Sequence, residues 1–144
     1  MNIYLLDTNI ISEPTKITPN EKVLQKLADN LEYSCISAVT WAEMLSGIKS
    51  LPEGKRKNGL LDYSIEYVQK QYEILSFDAS AASIYSDLYE RLKSQGTLAQ
   101  RFDLMIASIA ISNNLILVTR NVSDFSIIAE NSNLMIENWF GDAL

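Results

Sequence analysis

Ile3-Tyr4-Leu5-Leu6-Asp7-Thr8-Asn9 begins with an apolar run and ends it on a carboxylate. A run this short, at the start of the chain, reads as a buried strand over Ile3 to Leu6. Further short strands are expected at Tyr33–Ile36, Ile74–Phe77 and Ile116–Thr119, with a last one at Leu134–Ile136 on the sheet edge. Helical patterns fill the gaps. Thr18 is expected to cap a helix with Pro19 in its first turn, carrying Val23, Leu24, Leu27 and Leu31 at helical spacing. Helices are also expected from about Val39 to Leu51, through Leu60, Leu61, Ile65 and Val68, and from Asp78 or Ser80 to a stop at Gly96. Phe102–Ser112 is apolar all round and predicts a helix buried between other elements. Strands alternating with helices imply crossover connections. The expected fold is α/β, three layers (α/β/α) around a central, mainly parallel sheet, in a single domain over residues 1–144.

The composition narrows the function classes. With 144 residues, 47% hydrophobic and 21% charged, the chain is expected to be globular. A net charge of −6 argues against indiscriminate binding to nucleic acid or anionic membrane. There is no histidine and one cysteine, Cys35, so no Cys/His zinc set and no histidine-assisted thiolate can form. No apolar stretch approaches bilayer-spanning length, and a cytoplasmic, membrane-free protein is expected.

Chemistry therefore falls to the acids. Asp7 closes the first strand, Glu43 precedes Met44-Leu45, Asp103 precedes Leu104-Met105-Ile106, and Asp124 follows the fourth strand after a short turn. Each has an ordinary explanation. Asp7 suits an Asx turn, Thr40 and Glu43 have capping-box spacing, Asp103 suits the positive end of a helix dipole, and Asn121 and Asp124 suit a turn. Together they suggest more. In open parallel sheets ligands bind beyond the carboxyl ends of the strands, where Asp7, Asn121 and Asp124 are expected. Clustered carboxylates repel unless a cation offsets them, and an oxygen-only set selects Mg2+ or Mn2+. A metal so held supports phosphodiester hydrolysis without histidine.

At these residues the chain resembles the PIN-domain ribonucleases, specifically VapC-type toxins of prokaryotic toxin–antitoxin pairs. The resemblance rests on Leu5-Leu6-Asp7-Thr8-Asn9, Ser37-Ala38-Val39-Thr40-Trp41-Ala42-Glu43 with Gly47, Phe102-Asp103 before Ile106-Ala107, and Val118-Thr119-Arg120-Asn121-Val122-Ser123-Asp124-Phe125. It implies a Mg2+- or Mn2+-dependent endoribonuclease toxin acting on structured RNA such as tRNA or rRNA loops. It implies Asp7, Glu43, Asp103 and Asp124 as catalytic acids, with Asp7 and Asp103 nearest the metal. Thr8, Asn9, Thr119 and Asn121 would orient carboxylates or water. Asn121 stands where many family members carry another acid, which favours one tightly held ion. The ending Asn138-Trp139 lacks the proline usual between these residue types, a difference that concerns packing. The resemblance further implies a homodimer, a cognate antitoxin, and operator DNA reached only through that antitoxin.

Basic residues are few. Arg101 and Arg120 flank the acids and are candidate RNA phosphate contacts; Lys49, Lys55, Arg56 and Lys57 read first as solvated charge. Trp41, Met44, Tyr85, Leu88 and Tyr89 read first as core, and second as a dimer or antitoxin face. The rival function is a Mg2+-binding receiver-like or other non-nuclease α/β signalling or binding module. Such modules carry adjacent acids after the first strand and a late lysine, whereas here Thr8-Asn9 follows Asp7 and Arg120 follows Thr119. A dinucleotide site would need a glycine-rich turn where Asn9-Ile10-Ile11 stands.

Overall fold

The computed structural model describes residues 1–141. Five parallel strands form one sheet in the order β3-β2-β1-β4-β5. They are β1 (Tyr4–Leu6), β2 (Ser34–Ser37), β3 (Glu73–Leu75), β4 (Ile116–Val118) and β5 (Met135–Glu137). Register pairs Leu5 with Cys35 and Leu117, and Leu6 with Val118. The chain leaves β1 toward one edge, returns across the sheet, and adds β4 on the other side of β1. The carboxyl ends of β1 and β4 thus flank the point where strand order reverses, the usual crevice of such sheets.

Period-two alternation splits the core in two. Leu5, Cys35 and Leu117 face one layer, packed under α6 (Ala79–Ser94), α7 (Arg101–Ser112) and α8 (Val122–Glu130). Leu6, Ile36 and Val118 face the other, which holds α1 (Thr8–Ile11), α2 (Glu21–Asp29) and Met44 of α3 (Ala38–Lys49). The three-layer α/β/α expectation is met. In α7 every residue from Ile106 to Ala110 is buried, as its all-round apolarity predicts. After α3 the chain runs through α4 (Lys55–Asp62), a π-helical segment (Tyr63–Val68) and the short α5 (Gln69–Gln71). Among the described residues no helix is long and apolar enough to cross a membrane.

Several expected boundaries move. Asn20, not Thr18, caps α2, because its carboxamide oxygen reaches the Val23 amide; Pro19 lies before the cap. Asp78, of the two candidates, caps α6 through the Ala81 amide. Gly96 follows the end of α6 at φ 71°, where glycine avoids the strain a side chain would bring. β3 and β4 are shorter than expected, and α8 occupies a stretch where only turn residues were anticipated. Its apolar residues Phe125 and Ile128 lie three apart and are both fully buried. The aromatic ending packs as core: Trp139 is buried edge-on against Tyr4, with ring centroids 5.2 Å apart. Met44 and Leu88 are likewise buried, while Tyr89 remains partly exposed.

Candidate active site

Asp7 sits one residue beyond β1. Its amide donates to the Val118 carbonyl at 2.9 Å, which continues the β1–β4 pairing and fixes where the side chain starts. Only 7% of the residue is exposed. A buried carboxylate needs donors, and both oxygens have one. Oδ1 accepts from the Thr8 amide at 2.8 Å and Oδ2 accepts from the Thr119 hydroxyl at 2.9 Å. The first bond makes Asp7 the cap of α1; it comes from the next residue's amide, not from the amide two residues on that an Asx turn uses. The second comes from across the switch point and has no local explanation.

Thr119 follows β4 directly and is fully buried. Its hydroxyl oxygen accepts from the Asn121 amide at 3.0 Å and from Asn9 Nδ2 at 3.4 Å. With those donors in place its single proton is committed to Asp7. The Asn9 carbonyl oxygen accepts the Arg120 amide at 3.1 Å, which closes the network. Asn9, Thr119 and Asn121 therefore hold Asp7 or the loop beside it.

Glu43 lies in the sixth position of α3. The expected capping box is not formed: Ser37 caps this helix, accepting the Thr40 amide at 2.9 Å. Glu43 is thereby freed from any end-capping role, and it faces Asp7 and Asp103, both of which raise its pKa after burial has done so. Asp103, in the first turn of α7, is raised to about 6 by burial first, then by Asp7 and Asp124. Asp7 is raised chiefly by burial, against the two hydrogen bonds, with Asp124 adding repulsion. Asp124 is exposed in the first turn of α8. All four acids are thus electrostatically coupled around Asp7. α3 makes this meeting happen, since it contacts both α1 and α7.

The Thr8 hydroxyl is buried without a well-aligned hydrogen-bond partner, although it lies near enough to Glu43 to favour that carboxylate's charged form. Among the described residues no three acid, cysteine or histidine side chains converge closely enough to make a ready cage for a metal. This oxygen-only, open arrangement fits a hard cation that keeps several of its waters, as Mg2+ does, and does not fit zinc. Arg101 is exposed at the start of α7. Arg120 is better fixed: its guanidinium lies 4.1 Å from the centre of the Phe140 ring. Nearby, buried Glu13 binds Lys16 at 2.7 Å and the Asn20 amide at 2.7 Å, and its carboxyl is lowered by these partners and by Arg120. Sequence reasoning did not single out Glu13, since a glutamate just before a proline carries no distinctive signal, and it named Ser37 only within the stretch that carries the resemblance, not as the cap of α3. Cys35 is buried with its thiol pushed up to about 12 and is a core residue, as expected.

Residues 4–131 match the PIN domain family model. The chain belongs to the PIN domain family. It is 36% identical to toxin FitB of Neisseria gonorrhoeae, over 85% of this chain and 91% of that protein. It is 33% identical to ribonuclease VapC2 of Rickettsia felis, over 95% of this chain and 98% of that one. Its fold matches a chain in the structure of FitAB bound to an IR36 DNA fragment with a TM-score of 0.86 at 32% identity, covering 99% of both chains.

Two outcomes test this geometry. A carboxyl whose pKa rises on folding holds its proton more tightly when folded. Its favourable contribution is complete below the unfolded value of 3.8 and is lost as pH rises through about 6. Asp103→Asn should therefore stabilise the metal-free protein at pH 7.5, by on the order of 1 kcal/mol after solvent screening, with the gain fading below about pH 4. Urea unfolding at both pH values measures it. Thr119→Val leaves Asp7 Oδ2 without its donor and should cost about 1–3 kcal/mol, while Thr119→Ser should recover most of that in the same assay.

Proposed function

We propose that this PIN domain is a metal-dependent endoribonuclease toxin that cuts structured RNA and is neutralised by a cognate antitoxin. The observation that carries the reading is the four-acid coupling centred on Asp7, in a chain without histidine. Repulsion among carboxylates held this close is relieved when a cation binds among them. The similarity to a protein named ribonuclease VapC2 supports the reaction class. The similarity to toxin FitB, and to FitAB on DNA, supports a toxin held by a partner that contacts operator DNA.

Asp7 and Asp103 are assigned as the residues that would hold Mg2+ or Mn2+. When bound, such an ion polarises the phosphodiester and makes an activated water available near neutral pH. The chain's own groups do the rest. Thr119 and the Thr8 amide keep the Asp7 oxygens aimed and charged. Glu43, raised by burial and then by Asp7 and Asp103, is suited to hold or pass a proton at its carboxyl oxygens. Asp124, exposed at the rim, is placed to orient water entering the crevice. Arg120, fixed on Phe140, and Arg101, at the start of α7, are assigned to phosphates beside the cut. An apolar groove of about 690 Å3, lined by Val39, Ala42, Phe77, Phe102 and Met105 with Glu43 at its edge, is suited to an antitoxin segment. A homodimer is part of the same proposal.

Purified protein should cleave a structured RNA such as tRNA when Mg2+ or Mn2+ is supplied, and EDTA should stop it. Asp7→Ala and Asp103→Ala should each lower the cleavage rate by at least about a hundredfold while circular dichroism shows a folded protein. Equal cleavage in EDTA, or full activity in either variant, would reject the reading.

A further inference from the structure

A second feature opens from the other side of Glu43. Thr8, Ser12 and Thr15 line a cleft of about 240 Å3 together with Glu43, Gly47 and Leu60. Thr15, Leu60 and Tyr63 belong both to this cleft and to an adjoining depression of about 520 Å3, whose rim carries Lys55 and Arg56. The two spaces adjoin, the first reaching Glu43 and the second carrying a pair of adjacent cations at its rim.

The charges along these two spaces are polarised. The first has Glu43, coupled to Asp7 and Asp103. At the rim of the second Lys55 and Arg56 are exposed. The ion pairs among the described residues engage Lys16, Lys57 and Lys70, and neither Lys55 nor Arg56. Lys57, the third member of this basic run, is spent on Glu53 at 2.8 Å. Lys55 and Arg56 are adjacent in sequence and both exposed, which sets two positive charges side by side at the rim. Tyr63 borders both spaces. Its hydroxyl donates to the Ile11 carbonyl at 2.9 Å and its ring stacks on Tyr67 with centroids 5.5 Å apart, so it is a rigid surface. Rigid aromatics beside a cationic groove are how single strands of nucleic acid are held without base readout.

We propose that this cleft seats the RNA strand flanking the cut, with Lys55 and Arg56 gripping backbone phosphates several nucleotides from the reacting one. It rests on the nuclease reading and gives it a direction: the strand leaves the acids along α3 toward the start of α4. Charge complementarity selects the occupant. An acidic pocket with cations only at its far end suits a polyanion whose reacting phosphate meets the metal and whose next phosphates meet the protein.

The test is binding of a fluorescein-labelled RNA stem-loop with a single-stranded tail, followed by anisotropy in EDTA, where cleavage does not intrude. The double variant Lys55→Gln/Arg56→Gln should weaken binding about tenfold at low salt and flatten the slope of log K against log salt by about 1.4. The control Lys26→Gln/Lys93→Gln removes equal charge elsewhere and should leave both unchanged. Thermal melting checks that each variant is folded, and Lys55→Arg should bind as the parent does. Equal binding by the double variant and the parent overturns the proposal, as does an equal loss in the control. So does a double variant that binds RNA normally but escapes its antitoxin, since the cleft would then belong to the protein partner. Adding Mg2+ separates the two readings: RNA bound through Lys55 and Arg56 yet never cut would sink the nuclease and spare the subsite.

Discussion

A carboxylate buried at the junction of two parallel strands is the constraint around which this molecule is arranged. Asp7 is largely removed from water in its position, so the fold must supply donors. It does so from both sides of the switch point, with an amide from α1 and a hydroxyl from the end of β4. The Thr119 proton is directed to Asp7 because Asn9 and the Asn121 amide occupy its oxygen as donors. Three neighbouring acids then push against the charge that this network protects. Folding alone gains nothing from that opposition; a bound cation would turn each repulsion into a ligand or a water-holding group.

The rest of the structure keeps the strand ends where this requires. Leu5 and Leu117 lock one face of β1 and β4, and Leu6 and Val118 lock the other. Removal of any of these side chains would leave a cavity directly beneath the site. α3 bridges the two layers and delivers Glu43 from mid-helix, where a rigid backbone fixes its direction. Ser37 starts that helix and so sets which of its residues points into the crevice. A helix started at Thr40 would have placed Glu43 in the first turn, satisfied by backbone amides and lost to chemistry.

Much of this was legible in the sequence. Apolar runs of strand length, alternating with helical patterns, gave the layers and the parallel sheet, and topology alone put Asp7 beside the loop after β4. The acids were readable as a group because no histidine or cysteine pair offered another chemistry. What was not legible depended on contacts between distant residues. The choice of Ser37 over Thr40 as cap, and of Asn20 over Thr18, turned on which side chain reached an amide three residues on. The Asn9–Thr119–Asp7 network joins residues more than a hundred positions apart. α8 was overlooked because its polar first turn resembles a loop, although Phe125 and Ile128 carry the helical spacing. The π-helical turn over Tyr63–Val68 has no local pattern that announces it.

The most direct test of the central claim is a carbon-13 NMR titration of the Asp103 carboxyl, with and without Mg2+. In the metal-free protein the carboxyl should titrate near pH 6, held there by burial and by Asp7 and Asp124. Millimolar Mg2+ should move that midpoint down by at least about one unit, because a bound cation reverses the field of the neighbouring acids. A midpoint near the ordinary aspartate value, or one that Mg2+ leaves in place, would contradict the account.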